Sequence, residues 1–230
     1  MGLPIVLITG QLLTDAVWAP LCAAWADREV TIADNHSEET IAGYARRLLD
    51  HAPPRFMLVA HAMGGFIAFE VMRRAPERVA KLVLISTLAS ADGPAQTARR
   101  QGYIDLVESG RFDQVVEERI PILFPEHRRD DPDLLRIARQ MAADTGADTF
   151  LRQQRALMAR IDSRPRLHDI AVPTLLIWGQ GDGITSLGQH EEIAAAIPGA
   201  RLEVIAGAGH LPMLEQPDQV IPLLTAFIDG

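Results

Sequence analysis

Leu58-Val59-Ala60-His61-Ala62-Met63-Gly64-Gly65 is the stretch on which the fold turns. The continuous apolar run Phe56 to Ala60 predicts a strand buried on both faces. Met63 to Ala75, entered through Gly64 and Gly65 and stopped before Pro76, predicts a helix. Almost nothing separates the two, so the chain must turn sharply at His61-Ala62. Small residues two positions either side of Ala62 suit such a bend, because larger side chains there would collide with the neighbouring strand and helix. Ala60 and Gly64 meet that need.

The same alternation recurs along the chain. Pro4 to Thr9, Glu29 to Ala33, Val79 to Ile85, Thr174 to Trp178 and Arg201 to Ile205 read as strands. Trp18 to Ala26, Thr40 to His51, Gly188 to Ala196 and Pro217 to Ile228 read as helices. Strands alternating with helices define an α/β chain, with a mostly parallel central sheet flanked by helices on both faces. From Asp92 to Pro165 no strand is evident and the spacing is helical. Charge runs there include Arg99-Arg100, Glu117-Glu118-Arg119 and Arg128-Arg129-Asp130-Asp131, which read as solvated helix faces. The expected division is a core of residues 1–91 and 166–230, with 92–165 as a helical cap that leaves the sheet and returns to it.

Composition narrows the function. The 230 residues are 48% hydrophobic and 23% charged, the profile of a globular chain large enough to bury a full core without disulfides. Cys22 is the one cysteine and reads as packing. A net charge of -8 opposes binding to nucleic acid or anionic lipid. No run of eighteen apolar residues and no leader-like segment at Met1-Gly2-Leu3-Pro4 is present, which gives the expectation of a cytoplasmic protein without membrane partners. Histidine spacing suggests no metal site, and no cofactor is called for.

Around Ala62 the sequence resembles the nucleophile elbow of the α/β-hydrolases, Gly-x-Ser-x-Gly, with Ala60 in place of the first glycine and Ala62 in place of serine. Two later segments extend the resemblance. Gly179-Gln180-Gly181-Asp182 follows a strand, as the family's acid loop does, and implies Asp182 as the triad acid. Gly207-Ala208-Gly209-His210-Leu211-Pro212-Met213-Leu214-Glu215-Gln216-Pro217 is similar to the family's terminal histidine loop and implies His210 as general base. Thr9-Gly10-Gln11-Leu12 resembles the loop that supplies an oxyanion donor. That implies the backbone N–H of Met63 and that of Gln11 as the oxyanion hole, with Leu12 as the alternative second donor.

The resemblance spans nearly the whole chain. It implies a small capped serine hydrolase, similar to bacterial carboxylesterases and enol-lactonases, acting on a small ester or lactone, with amides and carbamates next, through an acyl-enzyme. With alanine at position 62 there is no attacking oxygen, so the chain as written is inactive. The rest of the machinery stands in its proper order, which favours deliberate replacement of a serine. The alternatives are a natural binding-only relative and a non-hydrolytic member of the fold. Leu12, His61, Met141, Phe150, Leu157 and Met158 are candidate pocket-lining residues, with core packing the competing role for those in the insertion. Oligomeric state is not readable.

Overall fold

A computed structural model describes residues 2–230. Six strands form one sheet in the order β2-β1-β3-β4-β5-β6, every neighbouring pair parallel. They are β1 Ile5–Ile8, β2 Val30–Ala33, β3 Phe56–His61, β4 Val79–Ile85, β5 Thr174–Gly179 and β6 Arg201–Ile205. The expectation of a mostly parallel sheet is thus met by a wholly parallel one. β1, β3 and β5 are buried at every residue, whereas the edge strands β2 and β6 are not. Parallel sheets covered on both faces leave only their edges to solvent.

Side chains alternate across a strand, so each strand feeds two cores. Ile5, Leu7, Met57, Val59, Val83, Ile85, Leu175 and Ile177 join one cluster with Trp18, Leu21, Val220 and Leu224. Val6, Ile8, Leu58, Leu82, Leu84 and Leu176 join the other with Tyr44, Leu48, Ile67, Val71 and Ile193. The first face is therefore covered by α1 (Ala19–Ala24) and α9 (Pro217–Asp229), and the second by α2 (Ile41–His51), α3 (Met63–Arg74) and α7 (Leu187–Ala196). Thr40 caps α2, its hydroxyl accepting the N–H of Gly43 at 2.9 Å.

Between β4 and β5 the chain forms only helices, chiefly α4 (Pro94–Glu108), α5 (Phe112–Arg119) and α6 (Pro132–Met158), the last broken at Gly146 with φ 73°. Val115, Phe124, Ala138, Met141 and Phe150 of this segment belong to the same apolar cluster as the first sheet face, so the insertion shares the core rather than enclosing its own.

Two local expectations need correction. The first helix starts at Ala19, because Asp15–Trp18 forms a separate 3₁₀ turn and Pro20 sits in the first turn of α1. The histidine loop is also not all loop. Pro212–Glu215 forms a one-turn helix, α8, with Pro212 at its N-terminus and Met213 fully buried. No helix among the described residues is long and apolar enough to cross a membrane.

Candidate active site

The bend after β3 is strained. Ala62 sits at φ 49°, ψ −111°, a region that residues with a Cβ seldom occupy and that costs about 1–3 kcal/mol. Three hydrogen bonds hold it there. The Ala62 N–H donates to the Ile85 carbonyl at 2.9 Å, and the Ala62 carbonyl accepts from the Gly65 N–H at 3.0 Å and the Thr87 hydroxyl at 2.8 Å. The glycines are required by close approach: a Cβ on Gly64 would lie 2.7 Å from the Ile8 carbonyl oxygen, and one on Gly65 would overlap the Thr87 side chain. Met63 opens α3, so its N–H has no intrahelical acceptor and is free to face a ligand.

Asp182 follows β5 and is held from all sides. Its Oδ1 accepts the N–H groups of Ile184 (2.7 Å) and Thr185 (3.1 Å), and its Oδ2 accepts the Thr185 hydroxyl (2.5 Å) and His210 Nδ1 (2.9 Å). Burial pushes the carboxyl up, but the His210 charge and these donors outweigh it and bring it down to about 2. Asp182 is therefore a carboxylate that fixes one nitrogen of the His210 ring and leaves the other for chemistry.

The His210 loop is clamped at several points. The His210 N–H donates to the Leu123 carbonyl at 2.7 Å, and its carbonyl accepts from His61 Nε2 at 2.8 Å. The two imidazole rings lie 4.9 Å apart. His61 is wholly buried, and desolvation, aided by the His210 charge, lowers it to about 3, so it is a neutral ring that donates through Nε2. His61 is thus a tie between the elbow and the histidine loop, 149 residues apart in sequence.

Glu215, presented by α8, supplies the other clamp: its two oxygens accept the N–H groups of Gly209 and Leu211, each at 2.9 Å, on either side of His210. Burial pushes Glu215 up to about 7, against those donors and the nearby Arg128. Because the folded state holds this proton more tightly than the ordinary carboxylate at 4.5, its contribution to stability is full below pH 4.5 and is lost as pH rises through about 7. Melting temperature is expected to decline over that window, and Glu215→Gln is expected to flatten the decline. An unchanged slope in the variant would remove Glu215 as its source.

Ala62, Met63, His61 and His210 line one cavity of about 90 Å³, with Gln11 on its wall. The Leu12 N–H is taken by Gln153 Oε1 at 3.3 Å, so Leu12 is not the free donor; no acceptor among the described residues takes the Gln11 N–H. Leu157 and His61 line the cavity, but Leu12, Met141, Phe150 and Met158 do not. Met141 and Phe150 are packed into the core instead. Sequence reasoning missed Arg100 and Arg119, which reach the cavity from α4 and α5. The signal was there in the charge runs, but both were read as solvated. A larger cavity, about 790 Å³, lies between α2, α3 and residues 159–170 and touches neither Ala62 nor His210. No cluster of His, Cys, Asp and Glu suited to a metal ion occurs among the described residues.

A wholly parallel sheet with an acid after β5, a histidine after β6 and a strained turn between β3 and α3 is the arrangement of a hydrolase fold. The model of the alpha/beta hydrolase family matches residues 7–223, and the chain belongs to that family. Over 99% of its length it is 24% identical to 96% of the pimeloyl-acyl-carrier protein methyl ester esterase of Aeromonas hydrophila. A thermophilic esterase from Thermogutta terrifontis, solved with malate bound, superposes on the whole chain with TM-score 0.90 at 27% identity and 90% of its own length covered. The enol-lactonase of Burkholderia xenovorans shares the fold, with TM-score 0.87, 22% identity and coverage of 100% and 93%.

Proposed function

We propose that this site belongs to a hydrolase of small esters or lactones, with amides and carbamates next, that works through an acyl-enzyme on the residue at position 62. In this reading alanine stands where the nucleophilic serine belongs, so the chain as it stands binds substrate and does not turn it over. What supports it is one convergence: a residue held at left-handed φ lines the same cavity as an imidazole already paired to a buried carboxylate.

A hydroxyl at position 62 would attack the carbonyl carbon while passing its proton to His210 Nε2, and Asp182 would stabilise the imidazolium. The N–H groups of Met63 and Gln11 would receive the negative oxygen of the tetrahedral intermediate. His210 then protonates the leaving alcohol, and a water molecule deprotonated by the same nitrogen releases the acid. Acyl transfer to water balances without a cofactor. The helical segment between β4 and β5 acts as the cap, contributing Arg100, Arg119 and Leu157 to the wall.

A fluorophosphonate probe, which is attacked only by an activated hydroxyl, tests the assignment. The Ala62→Ser variant is expected to gain one adduct on the peptide that spans position 62, and the unaltered chain none. Absence of that adduct in a folded Ala62→Ser variant would overturn the acyl-enzyme reading.

A further inference from the structure

The cavity beside Ala62 is lined by two guanidinium groups and no carboxylate. The two arginines differ in what faces them. Arg100 is compensated: its Nε donates to Asp92 at 2.6 Å and its Nη1 to Gln154 at 3.0 Å. Asp92 also pairs with Arg160 at 2.7 Å. Arg119 has no carboxylate partner, since no ion pair among the described residues includes it. Its Nε is shut off from solvent and meets no acceptor. The Tyr103 ring lies against the guanidinium, 5.3 Å from centroid to carbon, and supports its flat face.

A half-buried guanidinium without a counter-ion is costly to keep, and leaving its buried Nε donor unmade adds to that cost. Burial, aided by the charges of Arg100 and Arg99 and only partly offset by Tyr103, lowers this arginine to about 10, still charged at neutral pH. The deficit sits within the wall of the reaction cavity, where an incoming anion would fill it. A guanidinium meets a carboxylate through two parallel N–H bonds, which fixes orientation as well as charge.

We propose that Arg119 binds a carboxylate of the substrate remote from the bond that is broken, so that the preferred substrates are anionic: half-esters of short dicarboxylic acids, or lactones that bear a carboxylate. This deepens the ester or lactone reading and rests on it for the identity of the reacting bond, but the binding claim stands apart from turnover. Because the Ala62 chain leaves esters intact, the test can be made on the protein as it is.

Calorimetric titration with monomethyl glutarate and with methyl pentanoate compares two esters alike in length, one ending in a carboxylate and one in a methyl group. The unaltered chain is expected to bind the anionic ester about ten- to a hundredfold more tightly, the range of one charged hydrogen-bonded contact. Arg119→Met is expected to erase the difference. Arg99→Met, at an exposed neighbour, is expected to keep it. Equal affinity of the unaltered chain for the two esters, undetectable binding of the anionic one, or a preference that survives Arg119→Met would each overturn the proposal. Ala62→Ser separates this from the hydrolase reading. Turnover of both esters at equal kcat/KM sinks the carboxylate subsite alone, whereas a retained binding preference without turnover of either sinks hydrolysis alone.

Discussion

Ala62→Ser is expected to hydrolyse short p-nitrophenyl esters about a millionfold faster than the chain as it stands, the scale set by removing the nucleophile from an intact triad. The expectation is large because the substitution adds one atom to a site already built around it. Backbone strain at position 62 is present with alanine, held by Ile85, Thr87 and Gly65, so serine inherits the geometry without any rearrangement. His210 is already oriented by Asp182, by the Leu123 carbonyl and by His61. Adding His210→Ala to the Ala62→Ser variant is expected to return activity nearly to the starting level, since members of a triad act as a unit and the second loss follows from the first. Rates measured on a panel of esters and lactones decide it. A folded Ala62→Ser variant that is inert on the whole panel would leave a pocket that only binds.

Alanine at a left-handed φ also bears on how this sequence came to be. Glycine at position 62 would adopt the same backbone without strain. A chain under selection only to fold and bind has no reason to keep a side chain in a conformation that costs about 1–3 kcal/mol. The strain has a use when position 62 must project an atom into the cavity, which is what a nucleophile needs.

The parts of the site legible in the sequence are those fixed by local backbone geometry. Ala62, Asp182 and His210 lie just beyond strand ends on glycine-flanked turns, and continuous apolar runs mark those strands well. The glycines are informative because neighbours come so close: a Cβ on Gly209 would stand 2.6 Å from the Leu123 carbonyl oxygen. The walls of the cavity were not legible, because a helical insertion can turn any face inward. Glu117 and Arg119 are two residues apart on α5 and so point roughly 200° apart. Glu117 accordingly pairs with Arg139 at the surface at 2.8 Å, while Arg119 enters the cavity. A charge run read as one solvated face hides that split. Met141 and Phe150 took the competing role of core packing, and the break at Gly146 resets the helical phase of α6, so one periodicity cannot be carried through its whole length.

Asp182→Asn in the Ala62→Ser background is expected to lower kcat about ten-thousandfold with little change in fold, and the reason lies in how the carboxylate is held. Oδ1 faces two backbone N–H groups, those of Ile184 and Thr185, that cannot turn away. An asparagine must place its carbonyl oxygen there, which puts its NH₂ group in the position of Oδ2, against His210 Nδ1. Nδ1 would then have to accept rather than donate. The ring proton moves to Nε2, the nitrogen that must be empty to receive the proton from position 62, and general-base catalysis stops. The Thr185 hydroxyl, which now donates to Oδ2, would lose its acceptor as well. The same variant carries a stability signature. Asp182 is held at about 2 in the folded chain against an ordinary 3.8, so its ionised form stabilises the fold above about pH 3.8, and that contribution drains away as pH falls through about 2. Asp182→Asn is expected to flatten the acid limb of the stability curve over those two units while kcat collapses at neutral pH. A variant that keeps more than about a tenth of its kcat would show that His210 is oriented by something other than Asp182.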